Sequence, residues 1–243
     1  MTIVLPKVKA EPDNRWVSAK FGMIGSAGIG KSEFWSHANA LYFQCEAGLN
    51  HLSVMKVPIT SWEAVREAVG ALIQANQKKE FPWDTVVIDT VDKLVDYAQA
   101  EAVSRGKEKF KNIEINTVGD IPNGAGWSWA QDLVENLLSK LEELPCAVVY
   151  IGHLDNREIK EPTRSIHKQT ISIGGKMGGM LVAWADPFLN LEAQLVGGEC
   201  KRKVRTLPTQ TLDAKSRGGI VPDGWILSSN SEENFKKLRS LFK

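Results

Sequence analysis

Residues 25–32 read GSAGIGKS and match the spacing G-x-x-x-x-G-K-[ST]. Gly25, Gly28 and Gly30 let the backbone bend tightly, so that its N–H groups turn into one small concavity. Ser26, Ala27 and Ile29 fill the intervening positions. A helix starting at Lys31 would add the positive end of its dipole. Lys31 then has the reach for the β- and γ-phosphates of a nucleoside triphosphate, and the Ser32 hydroxyl is a ligand for Mg²⁺. The chemistry expected of this segment is binding of ATP together with Mg²⁺.

Three further residues belong to the same expectation. Asp89 ends the apolar run TVVID. An acid at the end of a neighbouring strand can hold the Mg²⁺ shell, and Thr90 beside it can hydrogen-bond within the site. Glu46 follows ALYFQC, and His153 follows AVVYIG. All three sit at the C-terminal ends of predicted strands, the edge where parallel sheets bind ligands. Hydrolysis needs a carboxylate that orients or deprotonates a water in line with the γ-phosphate, and Glu46 is placed for it. The plainer reading of Glu46 is an ordinary loop acid. His153 could donate to the γ-phosphate and report its loss to the loop that follows. Its plainer reading is a hydrogen-bonded histidine of the core or a loop.

The elements that must position these residues follow from the apolar pattern. Strands are predicted over 17–24, 40–45, 53–57, 85–89 and 146–151, with helices over 31–39, 61–78, 91–104 and 127–143. Thr60 with Glu63 resembles a capping box for the second helix. Residues 105–126 and 152–180 are polar and glycine-rich and read as long loops, which are rare unless they bind something. Strand-like runs over 181–191 and 200–207 suggest a closing antiparallel portion, and SEENFKKLRSLFK a short terminal helix. The fold class expected is α/β, with a mainly parallel central sheet flanked by helices and a C-terminal antiparallel extension. The division is an N-terminal segment over 1–16, a core over 17–222 and a tail over 223–243.

Composition narrows the class. With 43% hydrophobic and 24% charged residues, the chain is an ordinary globular sequence. No run of eighteen apolar residues suggests a membrane span, and the N-terminus does not read as a secretory signal. The cysteines Cys45, Cys146 and Cys200 are widely spaced and odd in number, which fits small hydrophobes in a reducing cytoplasm. A net charge of +1 argues neither for nor against nucleic acid. Its distribution is more informative: residues 201–217 carry six Lys or Arg against one Asp, and 105–111 four against one Glu. Such runs could meet phosphate, or be solvated faces.

Together, Gly25–Ser32, the acid in FQCEAGL, VVIDT and the polar end of VVYIGH occur in the order found in RecA-like ATPases. With GAGW before a helix and a late AKSRGGIVP, the chain resembles phage-encoded single-domain RecA-core proteins, AAA-type nucleotide-binding proteins that act in recombination and single-strand annealing. The resemblance covers about residues 17–222. It implies a RecA-like P-loop core, with Glu46 as the catalytic glutamate and His153 where RecA has a glutamine that couples ATP state to DNA. The loops 105–126 and 153–180 correspond to DNA-facing loops. Lys215 and Arg217 resemble cations that reach a neighbouring subunit's nucleotide site and stabilise charge on the transferring phosphate. The implied partners are single-stranded DNA, further copies of the chain in a ring or filament, and a single-strand DNA-binding protein. Two departures stand out: histidine replaces glutamine at 153, and the N-terminal segment is short for a polymerisation domain.

The residues expected to face DNA are Arg105, Lys107, Lys109 and Lys111 in the first loop, and Arg157, Lys160, Arg164, Lys168 and Lys176 in the second. Asp155, Glu158 and Glu161 offset the second set, so DNA binding by one copy should be weak and salt-sensitive. Trp127, beside the first loop, could stack on a base, whereas Trp129 falls on the apolar side of its helix. The function expected is a DNA-stimulated ATPase in recombination. The alternatives are a RecA-core ring motor, which would unwind duplex, a small-molecule phosphotransferase, and a nucleotide-dependent interaction module with little turnover.

Overall fold

A computed structural model describes residue 5 and residues 7–160 and 164–243. Glu161 and most of the first six residues lie outside the described set. The chain runs β1 (Lys20–Gly25), α1 (Lys31–Trp35), β2 (Ala40–Gln44), β3 (Met55–Pro58), α2 (Trp62–Gln77), β4 (Thr85–Asp89), α3 (Val91–Lys109), α4 (Ala125–Glu142), β5 (Ala147–Lys160), β6 (Ser165–Ile171), α5 (Gly175–Trp184), β7 (Phe188–Val196), β8 (Glu199–Arg205), β9 (Trp225–Ile226) and α6 (Ser231–Ser240). The sheet order is β3-β2-β4-β5-β1-β7-β8-β9, with β6 paired to β5. Strands β3 through β7 along that order run parallel, whereas β8 and β9 add on antiparallel. This is the α/β architecture with a C-terminal antiparallel extension expected from the sequence.

Alternation along the central strands builds two cores. Val86 and Ile88 of β4 and Val148 and Tyr150 of β5 join one, beneath α2, α3, α4 and α5. Val87, Val149 and Ile151 point the other way, toward α1 and α6. In that second core Trp16 packs against Phe21, Trp35, Phe235 and Phe242, so the segments before β1 and after β9 share one aromatic cluster. Among the described residues, no helix is long and apolar enough to cross a membrane.

The local expectations need several corrections. The cap of α2 is Ser61, whose side chain accepts from the Ala64 N–H, rather than Thr60. Helix α3 runs on through Lys109, so Arg105, Lys107 and Lys109 are helical and not in a loop. Glu101 pairs with Arg105 at 3.0 Å one turn on, Ala102 and Gly106 are buried, and lysines in the last turn suit the helix dipole. The stretch 152–180 is also largely structured. Strand β5 leaves the parallel sheet after His153 and forms a ladder with β6, from Leu154↔Ile171 to Lys160↔Ser165. Leu154 and Ile171 at its base pack into the core, but most of the ribbon beyond them is polar and partly or fully exposed, so its backbone pairing was not legible as apolar alternation. The predicted strand at 181–191 is instead the end of α5 followed by β7. Cys45 and Cys146 are buried as expected, but Cys200 is exposed.

Candidate nucleotide site

Register brings the site together. Gln44, Asp89 and Ile151 lie in one row across β2, β4 and β5, and Gly25 of β1 lies opposite His153. The residues just past these positions therefore converge on one edge of the sheet. Gly25 ends β1, and the turn to α1 uses left-handed backbone at Gly28 (φ 73°) and Gly30 (φ 97°), which favours glycine. No side chain caps the N-terminus of α1. Lys31 is buried, and its ammonium donates to the carbonyls of Gly25 (2.8 Å) and Ser26 (3.0 Å), folding back over the loop. Burial lowers its pKa, opposed by the carboxylates of Asp89, Asp92 and Glu46.

The Ser32 hydroxyl donates to Asp89 at 2.6 Å, so the two oxygen ligands expected for Mg²⁺ already touch. Burial raises the Asp89 pKa, against the bond from Ser32. The Thr90 Oγ1 beside it is buried with no protein partner among the described residues, an orphan that a bound ligand or its water would satisfy. Among the described residues no group of three or more His, Cys, Asp or Glu forms a metal site of its own. Two oxygen ligands beside a phosphate loop suit an ion whose remaining ligands are phosphate and water.

Glu46 and His153 meet at the same edge, with His153 Nε2 3.9 Å from Glu46 Oε1. The other ring nitrogen, Nδ1, lies 3.4 Å from Asp92 Oδ2, and the same carboxylate accepts the His153 backbone N–H at 3.0 Å. The Ser172 hydroxyl, just after β6, also donates to Asp92. Asp92 thus ties the start of α3 to both ends of the β5–β6 hairpin, and burial raises its pKa against the pull of His153. Sequence reading missed Asp92. Its only signal was an acid three residues after Asp89 in IDTVD, the first-turn position of the next helix.

The remaining predicted residues scatter. The Lys215 ammonium donates to the carbonyls of Val182 and Ala183, both at 2.8 Å, and so caps the end of α5 within its own chain. Arg217 is largely exposed beside Asp186. Of the expected DNA-facing set, Arg105 pairs with Glu101, and Lys109 lies over the rings of Phe110 and Trp129. Arg157 donates to the carbonyls of Ile171 and Ile173, Arg164 to Gln210, and Lys168 pairs with Asp213. Lys107, Lys111, Lys160 and Lys176 are exposed. Trp127 is 57% exposed, and with Lys176 and Asp92 it lines a cavity of about 810 Å³ between α3, α4 and the start of α5.

A family model described as an AAA domain matches residues 18–218. The chain belongs to this AAA domain family. Its match spans the phosphate loop, Glu46, Asp89, His153 and Arg217. No curated protein matches the chain. Among solved structures, it is similar to the flagellar accessory protein FlaH from Methanocaldococcus jannaschii, at 10% identity and a TM-score of 0.39, over 77% of each chain. By its family match, the chain carries a nucleotide-binding domain of the AAA ATPase type.

The buried acid of this AAA domain gives a stability test. An acid whose pKa is raised on folding costs stability as pH climbs through its unfolded and then its folded value, and the cost is absent below both. Asp89 is such a group. Asp89→Asn, which can still accept from Ser32, should raise the melting temperature of the nucleotide-free protein at neutral pH by about 2–4 °C. The gain should vanish as the pH falls below the carboxylate range. Melting curves of both proteins across pH provide the check, and a lower melting temperature at neutral pH would show that the ionised carboxylate stabilises the fold.

Proposed function

We propose that this AAA domain is a Mg²⁺-dependent ATPase that binds single-stranded DNA and uses its nucleotide state to act in strand annealing or recombination. The observation that carries this reading is the position of His153. It is the last residue that β5 shares with the parallel sheet, it faces Glu46, and the hairpin begins at the next residue. The backbone amides of Gly25–Ser32 and the Lys31 ammonium hold the triphosphate. Ser32 and Asp89 would hold Mg²⁺, which offsets phosphate charge when bound. Glu46 orients the attacking water and takes its proton. His153 reads the γ-phosphate side of the site, and Asp92 fixes its ring and its backbone together.

Any rearrangement of His153 on hydrolysis is transmitted to the hairpin and, through Asp92 and Ser172, to the start of α5. Those elements carry Lys160 and Lys176, which with Trp127 form the DNA-facing side in this reading. Two exposed cations on separate elements give one copy weak, salt-dependent binding, so the working form is an oligomer along the strand. The Arg217 side chain is 75% exposed beside Asp186, whereas the Lys215 ammonium is held by two carbonyls, so Arg217 is the better placed of the two to reach a neighbouring copy.

Phosphate release measured with and without saturating single-stranded DNA tests the proposal. DNA should raise the rate several-fold. Asp92→Ala should keep nucleotide affinity and the basal rate within about threefold, yet lose most of the stimulation, because the His153 ring and Ser172 lose their common tie to α3. A rate indifferent to DNA in the parent protein would overturn the coupling and favour a nucleotide-dependent interaction module.

A further inference from the structure

The phosphate loop has a second wall. Strand β8 runs antiparallel beside β7, which is itself the neighbour of β1, so side chains on one face of β8 lie next to the turn that leaves β1. Arg202 of β8 reaches that turn. A Cβ built on Gly30 would sit 2.3 Å from Arg202 Nη1, so the guanidinium lies against the backbone of the loop itself. The same nitrogen is 3.5 Å from Glu33 Oε2, with the Arg202 side chain 25% and the Glu33 side chain 48% exposed.

Glu33 is an unexpected residue at this place. It lies in the first turn of α1, the helix whose N-terminus is to receive phosphate. A carboxylate there suits the helix dipole when the site holds no anion. With a polyphosphate bound, the same charge repels the ligand, at close range and partly shielded from water. Arg202 is the cation that faces it. Glu46 lies just past β2, Asp89 ends β4 and His153 lies in β5, all on one side of β1 in the sheet, whereas Arg202 comes from the opposite side.

We propose that Arg202 is a nucleotide-binding residue supplied in cis, which neutralises Glu33 in the free protein and turns to the polyphosphate of a bound nucleoside di- or triphosphate. This rests on the phosphate-loop reading of residues 25–32 and adds to it a residue outside the loop. Because Arg202 stands apart from Glu46 and His153, its contribution is to affinity and not to the chemical step. Its removal should therefore weaken ATP and ADP alike. The Glu33 charge opposes binding, so removing that charge should strengthen it.

The test is calorimetry with Mg·ATP and Mg·ADP on the parent protein and on Arg202→Ala, Arg202→Lys, Glu33→Gln and the double variant Arg202→Ala/Glu33→Gln. Arg202→Ala should raise both dissociation constants roughly tenfold or more, as expected for loss of a charge-assisted contact beside an uncompensated carboxylate. Arg202→Lys should recover part of the loss. Glu33→Gln should bind as tightly as the parent or tighter, and the double variant should regain only part of the affinity lost by Arg202→Ala, because the guanidinium contact to the polyphosphate stays missing. The kcat at saturating ATP should stay within about threefold throughout. If Arg202→Ala and Glu33→Gln lower the melting temperature equally and leave both dissociation constants unchanged, the pair is only a surface ion pair and the inference fails while nucleotide binding stands. If the parent protein shows no heat with either nucleotide, the phosphate-loop reading fails and this inference with it.

Discussion

Lys31→Ala should abolish nucleotide binding while leaving the fold in place. The ammonium donates to the Gly25 and Ser26 carbonyls of the loop it belongs to, and is held there in a buried position. Burial disfavours its charge, against the carboxylates of Asp89, Asp92 and Glu46, and the phosphates of a bound nucleotide would add to that compensation. Truncation removes the charge that would meet the β- and γ-phosphates, and it also relieves the desolvation cost in the free protein. A loss of at least about a hundredfold in affinity for Mg·ATP is expected, or about 2.7 kcal/mol. Calorimetry supplies the affinity and a melting curve the fold. The melting temperature should move by no more than about 3 °C. Retained affinity in Lys31→Ala would remove the basis of the nucleotide site.

Glu46→Gln should separate binding from turnover. The Glu46 carboxylate stands just beyond β2 and 3.9 Å from His153 Nε2, on the sheet edge where β1 and β4 end and β5 leaves the parallel sheet. Glutamine keeps the size and a hydrogen-bonding carbonyl but cannot take a proton. If Glu46 is the general base, kcat should fall by about 10²–10⁴. Affinity for Mg·ATP should stay within a few-fold, or tighten slightly as a negative charge leaves the neighbourhood of the phosphates. Phosphate-release kinetics at saturating ATP measure the first quantity and calorimetry the second. An unchanged kcat would move the base elsewhere, and a parent protein with negligible turnover would favour the interaction-module reading.

These two variants bracket the cluster that the sheet assembles. Lys31 acts through charge on the ground state, so its loss is felt in affinity. Glu46 acts on a proton that moves only in the reaction, so its loss is felt in rate. Asp92 lies outside both effects, whereas Arg202 adds to the first. One links the cluster to the hairpin, and the other flanks the phosphate loop from the far strand.

The sequence by itself determined the residues that carry strong local constraints. GSAGIGKS demands a strand, a turn with left-handed glycines and a helix, and Gly28, Gly30 and α1 follow that demand. TVVID had to be a buried central strand because each of its residues is β-branched or ends the run, and β4 spans the same five positions. The positions of Glu46, Asp89 and His153 at strand ends were legible for the same reason. Tertiary structure alone decided that their rows coincide, that Ser32 touches Asp89, and that Asp92 reaches His153 and Ser172 across 61 and 80 residues of chain. It also decided that residues 154–160 and 165–171 pair as a ribbon, that Lys215 is spent on the end of α5, and that Arg202 reaches Gly30. The physical reason is range. Periodicity and turn chemistry act over a few neighbours, whereas strand order and register place residues far apart in sequence within a few ångströms, and that placement depends on the packing of the whole sheet.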